Sequence, residues 1–226
     1  VLQAAIAHLI SVDRRFEQLS QTYIPKPWLD ENLDEDMDHF RSLVLGILSQ
    51  QVSGAAARSI SRKFIALFEE AGPHHEALQN HFFPTPSMIL EKDLLTLKSA
   101  GLSMRKAEYV SGLAQAFQDG QFTDEFFATA PDTQIVERLV SIRGLGPWSA
   151  EMFLIFSLKR TDCLSYGDIG IQRGMAHWLG KDVKDKRTHS KGKFKYVSQQ
   201  EMDQTSEAWR PFRSIGCWFM WRVNGI

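Results

Sequence analysis

The spacing with the most chemical content runs from Leu139 to Glu151, LVSIRGLGPWSAE. A helix ends, Gly144-Leu145-Gly146 makes a turn, and Pro147 opens the next helix at the position where a missing N–H costs nothing. Such a turn presents unsatisfied backbone N–H groups at the positive end of a helix dipole, a phosphate-binding geometry whatever the net charge. Glycine also lets a second backbone approach with no Cβ in the way. A plain αα-hairpin uses the same residues, so the G-x-G spacing alone leaves both readings open. The side chains offer no metal site and no cofactor is expected from them. Cys163 and Cys217 cannot make a four-cysteine zinc or iron–sulfur set. His39, His74, His75, His81, His177 and His189 lack ligand spacing with carboxylates or thiols. His74-His75, beside Gly72-Pro73, reads as an exposed turn.

The elements that must position the turn are helices. Val44, Ile47, Leu48 and Val52 repeat at intervals of three and four. Ile60, Phe64, Leu67 and Phe68 do the same, with Gly72-Pro73 as a stop. Ala107, Val110, Ser111, Ala114 and Phe117 mark a stripe between Ser103 and Asp119-Gly120. Ile135, Val136, Leu139 and Val140 mark another, with Asp132 or Thr133 as the cap. The run from Pro147 to Leu158 is apolar almost all round, so burial on most sides is expected. Ile169 to Leu179 is followed by Gly180, and Ser198 with Glu201 forms a capping box. Strand-like alternation is scarce, and the class is all-α. Pro25-Lys26-Pro27 and the acidic run after it suggest an irregular, mobile stretch.

Composition bounds the function. The 226 residues suit one domain or two small lobes sharing a core. Hydrophobic residues make up 43% and charged residues 23%, a globular balance, and no apolar run approaches the ~20 residues of a membrane span. The N-terminal stretch lacks the basic region and cleavage site of a secretory leader, and the two cysteines form no disulfide framework, so a reducing compartment is expected. A net charge of -1 excludes a uniformly basic coat. The charge is nevertheless segregated. Asp30, Glu31, Asp34, Glu35, Asp36 and Asp38 crowd one stretch; Lys181, Lys184, Lys186, Arg187, Lys191, Lys193 and Lys195 crowd another. Either run alone reads as a solvated loop.

Read together, the segments carry more than any one of them. GLGPWSAEMFLIF (144–156) followed by SYGDIGIQRG (165–174) resembles the helix-hairpin-helix (HhH-GPD) DNA glycosylase superfamily, and within it the alkylpurine, or 3-methyladenine, branch of bacteria and yeasts. ILSQQVSGAAARSI (47–60) resembles that branch's minor-groove loop and following helix. Residues 83–120 resemble its middle region, and WRPFRSIGCWFMWR (209–222) its C-terminal helix. The resemblance implies a two-lobed all-α fold with a DNA-binding cleft. It implies a single glycosylase domain over 1–226, with the hairpin motif at about 135–158.

The resemblance also assigns roles. Asp168 matches the acidic residue that promotes glycosidic cleavage, where a carboxylate can stabilise an oxocarbenium-like sugar or activate water; Asp168 can equally cap the helix from Ile169. Trp148 stands where bifunctional members carry a Schiff-base lysine, which implies a monofunctional enzyme with no β-lyase step. Its indole would attract a cationic alkylated purine, or else brace the hairpin as a core residue. Met152, Trp209 and Phe212 complete the expected base pocket. Gln51 would plug the gap left by the flipped nucleotide, with Gln50 and Ser53 in the minor groove; an ordinary polar loop capped by Ser53 is the alternative. Arg143, Gly144, Leu145, Gly146 and Ser149 would hold phosphates, with Lys106, Arg173 and the basic loop from Lys181 adding contacts. The carbonyls of Val140, Ile142 and Leu145 would coordinate a monovalent cation, Na⁺ or K⁺, when DNA is bound.

The implied function is flipping and hydrolysis of alkylated, cationic purines in double-stranded DNA, leaving an abasic site. The alternative is a glycosylase-fold protein that binds abasic or damaged DNA with little excision. A monomer is expected, nuclear in a eukaryote and otherwise cytoplasmic. Four positions depart from the branch pattern. Arg143 replaces a proline, Met152 a second aromatic, and Ser165-Tyr166 a proline-containing approach to the acidic residue.

Overall fold

The computed structural model describes residues 1–33, 37–68, 82–183 and 195–223. Asp34, Glu35 and Asp36 of the acidic run lie outside the described residues. So do Gly72-Pro73, His74, His75, His81 and His189, and Lys184, Lys186, Arg187, Lys191 and Lys193 of the basic run. Among the described residues there is no strand, and the fold is all-α. The chain divides into two compact units, one formed by residues 37–150 and the other by residues 1–36 and 151–226.

In the unit of residues 37–150, α4 (His39–Ser49), α5 (Gly54–Ala66), α6 (Pro86–Leu90), α7 (Leu94–Ser99), α8 (Met104–Gln118), α9 (Asp124–Thr129) and α10 (Asp132–Val140) follow one another. The long helix α8 packs against α4, α6 and α7; of the stripe expected from spacing it buries Ala107, Val110 and Ala114, leaves Ser111 and Phe117 half-buried, and buries Leu113 and Ala116 besides. Its start is set by Ser103, whose hydroxyl accepts from Lys106 N at 3.2 Å. Val52 is a correction. Helix α4 stops at Ser49, and Val52 lies in the following loop, 39% exposed. The cap of α10 is another correction, because the residue before Asp132 is Pro131, which has no side-chain donor or acceptor. Proline there fixes an extended entry, and Asp132 falls inside the first turn, where its charge suits the dipole.

Helix α11 (Pro147–Phe156) carries the chain from one unit to the other, the boundary falling between Ala150 and Glu151. It is less enclosed than its composition suggested: Ala150, Phe153, Leu154 and Ile155 are buried, but Trp148 and Phe156 are 48% and 37% exposed.

The second unit contains α1 (Leu2–Val12), α2 (Arg15–Thr22), a 3₁₀ turn (Lys26–Trp28), α3 (Asp30–Leu33), α12 (Ile169–Trp178), α13 (Gln199–Ser206) and α14 (Arg213–Met220). The capping box of Ser198 and Glu201 opens α13 as expected. The described part of the stretch after Pro25, as far as Leu33, is helical and anchored rather than loose. Trp28 is fully buried and its indole N–H donates to the Lys159 carbonyl at 3.1 Å. Helices α12 and α14 form the centre of this unit and meet through a glycine. A Cβ on Gly174 would sit 2.0 Å from the Met220 carbonyl oxygen, a backbone atom that no rotamer can move. Gly174→Ala is therefore expected to lower stability by about 2–3 kcal/mol, read as a shift of the urea midpoint at constant m-value. An unchanged midpoint would show that the two helices part at no cost.

Candidate functional site

The hairpin and the loop after α4 belong to the same unit and touch. Past α10 the backbone tightens into i→i+3 bonds: Ile142 N donates to Leu139 O and Leu145 N to Ile142 O, both at 3.0 Å. The Leu145 side chain is buried and pins the turn from inside. The two glycines have different reasons to be glycine. Gly144 has φ +98°, and a Cβ there would fall 2.3 Å from the Tyr109 ring. Gly146 lies outside the left-handed region, and a Cβ on it would meet nothing within 4 Å. Among the described residues nothing requires glycine at 146.

The first intrahelical bond after Gly146 runs from Ala150 N to Gly146 O at 3.1 Å, so the N–H groups before it face the helix's positive end. Ser149 is half-buried beside them, and Trp148 stands out with nearly half its surface exposed. The Arg143 guanidinium lies 3.1 Å from Glu108 and over the Tyr109 ring. An exposed pair of this kind is a weak restraint, so the cation can exchange Glu108 for a phosphate.

In the loop after α4, Gln51 is exposed and sits at φ +55°, a conformation that costs a side-chain-bearing residue about 1–2 kcal/mol. Ser53 caps α5, its hydroxyl accepting from Ala56 N at 3.3 Å. Gln50 is a correction. Its amide turns inward and donates to the Gly144 carbonyl at 2.9 Å, so it braces the hairpin instead of reaching a groove. Lys106, expected as a phosphate contact, is engaged within the protein. Its ammonium donates to the Leu48 and Gln50 carbonyls, both at 2.7 Å, and burial holds its pKa below the usual lysine value.

In the other unit, Asp168 is 9% exposed and precedes α12. Its Oδ1 accepts from Ile171 N at 2.8 Å, the expected helix cap, and from the Trp221 indole N–H at 2.8 Å. Trp221 stacks on Phe156, with centroids 5.6 Å apart and planes 20° from parallel. Gly170 makes room for this arrangement, since a Cβ there would lie 2.6 Å from the Trp221 ring. The approach to Asp168, where Ser165-Tyr166 departs from the branch's proline-containing pattern, is tied by hydrogen bonds. Ser165 donates to Glu151 at 2.5 Å, Tyr166 donates to Asp203, and the Gln172 amide donates to the Tyr166 carbonyl at 2.8 Å. Burial and the Asp203 carboxylate push the Tyr166 phenol up to about 12, so it remains a donor across the physiological range.

Met152 is half-buried on α11. Trp209 is a correction to the expected pocket: at 2% exposed, it packs on Gly216 and edge-on to Phe16 as a core residue. The cavity it borders, about 520 Å³ between Val12, Trp178 and Thr205, does not include Asp168. Phe212 lies against the His8 ring, 5.6 Å between centroids, bracing the N-terminal helix. The aromatic partner of Asp168 is instead Trp221, which sequence reasoning missed. Its signal was Gly170, a glycine in a first helical turn with no conformational reason to be there.

Comparison with known proteins bears on the family and the fold. The family model described as HhH-GPD superfamily base excision DNA repair protein matches residues 44–199. A DNA-3-methyladenine glycosylase of Saccharomyces cerevisiae is 34% identical over 82% of this chain and 67% of its own length. DNA-3-methyladenine glycosylase 1 of Schizosaccharomyces pombe is 26% identical over 100% of this chain and 89% of its own. The solved structure of a Schizosaccharomyces pombe 3-methyladenine DNA glycosylase in complex with abasic DNA superposes with a TM-score of 0.73 at 25% identity, covering 99% of this chain and 97% of that one. This chain belongs to the HhH-GPD superfamily of base excision DNA repair proteins.

Proposed function

We propose that the protein is a monofunctional DNA glycosylase that excises alkylated, cationic purines from duplex DNA and leaves an abasic site. The observation that carries this reading is the Asp168 carboxylate, buried and oriented at Oδ1 by a helix N-terminus and an indole N–H. As the glycosidic bond breaks, positive charge develops on the sugar, and a preoriented carboxylate stabilises that charge without reorganising. Alkylation makes the purine a good leaving group, so no strong acid is needed. The exposed Trp148 face suits a cationic base by stacking and cation–π attraction. Helix α11 contains no lysine, so no amine of that helix can form a Schiff base with the sugar.

The hairpin turn holds phosphates, and Gln51 fills the gap in the stack. Neutral carbonyls at Val140, Ile142 and Leu145 are a donor set for a hard monovalent ion rather than a transition metal, and would add positive charge near a phosphate. The protein acts as a monomer on damaged or abasic duplex DNA, in the nucleus of a eukaryote or the cytoplasm of a bacterium. No described helix is long and apolar enough to cross a membrane.

The test is release of 3-methyladenine and 7-methylguanine from defined duplexes, with strand integrity followed in parallel. Base release with an uncut strand supports the reading. Tight binding to a stable abasic analogue without release would replace it by lesion binding alone. At the hairpin, Gly146→Ala is expected to leave stability within about 0.5 kcal/mol and to weaken duplex binding roughly fivefold. Gly144→Ala should instead lower the melting temperature. Equal melting temperatures for the two variants would contradict the distinction drawn between these glycines.

A further inference from the structure

The Lys106 ammonium faces the protein. It donates to Leu48 O, one of the last carbonyls of α4, and to Gln50 O beyond the helix end. A cation there satisfies acceptors that have no intrahelical partner and complements the negative end of the dipole. Gln50 is thereby fixed twice, at its carbonyl by Lys106 and at its amide by the Gly144 carbonyl. On the other side, Ser53 is fixed as the cap of α5. Gln51 lies between these two fixed points in a left-handed conformation. One turn along α8 from Lys106, the Tyr109 ring fills the space beside Gly144. The same face of one helix thus supports the loop that carries Gln51 and the turn of the hairpin.

We propose that Lys106 is a positioning residue for Gln51, holding its loop in the conformation that enters the duplex and fixing its spacing from the phosphate-binding hairpin. The proposal rests on the reading of Gln51 as the residue that fills the vacated stack. The lowered pKa of Lys106 agrees with a desolvated structural cation rather than a hydrated phosphate contact. The Gln50–Gly144 bond gives the arrangement a second consequence. A phosphate seated at the hairpin is mechanically tied to the loop, so engagement at one favours the inserting geometry at the other.

The experiment uses a duplex carrying a stable abasic analogue beside 2-aminopurine, whose fluorescence reports entry of a side chain into the stack. Wild type, Gln51→Ala, Lys106→Met and Lys106→Arg are compared, with melting temperatures and binding to undamaged duplex over a salt series. Lys106→Met is expected to lose the fluorescence change as Gln51→Ala does, and to slow base release from a fully paired duplex about tenfold. Its affinity for undamaged DNA and its salt slope should match wild type. Lys106→Arg, which can still donate to carbonyls, should recover most of the signal, and it also serves if Lys106→Met melts too low to be read. A normal fluorescence change in Lys106→Met, with a salt slope shallower by about one, would overturn the proposal in favour of a phosphate contact. A wild-type signal in Gln51→Ala would overturn it together with the reading of that residue. A fluorescence response without any base release by wild type would refute excision and leave the positioning role supported.

Discussion

Replacing Asp168 by asparagine is expected to slow base release by roughly 10²–10⁴-fold while leaving the protein folded. Asp168 has one observed duty, as a helix cap, and one proposed duty, in the chemistry. As a cap, Asp168 accepts the Ile171 N–H on Oδ1, and asparagine is as good a cap as aspartate. The Trp221 indole needs only an acceptor at the same oxygen, which the amide carbonyl supplies. Stability should therefore change by less than about 1 kcal/mol, the scale of a lost charge at a helix N-terminus. What asparagine cannot supply is a full negative charge beside the developing sugar cation. Binding to an abasic analogue, where no bond remains to break, should survive. The measurement is single-turnover release from a methylated duplex, with thermal melts of the same preparations. Asp168→Ala provides the contrast, losing both cap and charge. Release by Asp168→Asn within a few fold of wild type would remove Asp168 from the chemistry and leave it as a cap alone.

The two duties also explain what could be read in advance. A cap is local: Asp168 and Ile171 are three residues apart, so the sequence contains both partners. The same holds for Ser53 with Ala56, Ser103 with Lys106 and Ser198 with Glu201. The hairpin was legible because a glycine turn followed by proline is a local signal, and the helices because apolar spacing repeats. Partners distant in the chain were not legible. Trp221 reaches Asp168 across 53 positions, Gln50 reaches Gly144 across 94, and Lys106 reaches Leu48 across 58. Residue type says that a glutamine will find a hydrogen bond, not where. The misplacement of Trp209 has the same origin. Its segment resembles a C-terminal helix near the base, but periodicity within it cannot say which aromatic turns toward the carboxylate. Gly216 and Phe16 enclose Trp209, and it is Trp221 that bonds Asp168.

Trp221 therefore carries the next largest effect. Its indole is stacked on Phe156 and donates to Asp168, so ring and N–H can be removed separately. Trp221→Phe keeps an aromatic face for the stack and deletes the donor. A hydrogen bond to a charged group is involved, so base release should fall about tenfold, with little change in melting temperature. Trp221→Ala deletes both and leaves a void beside Gly170, so release should fall roughly a hundredfold with a measurable loss of stability. The decisive readout is coupling to Asp168. If Trp221 acts by orienting the carboxylate, its substitution should cost little more in a protein that already carries Asp168→Asn, since asparagine cannot perform the chemistry however it is held. Full additivity of the two losses would assign Trp221 an action independent of Asp168. Gly170→Ala disturbs the pair without replacing either residue, its Cβ meeting the Trp221 ring at 2.6 Å and Asp168 Oδ1 at 3.0 Å. Its Cβ would displace the indole, and the variant should reproduce the kinetic loss of Trp221→Phe, provided the helix start is intact by circular dichroism.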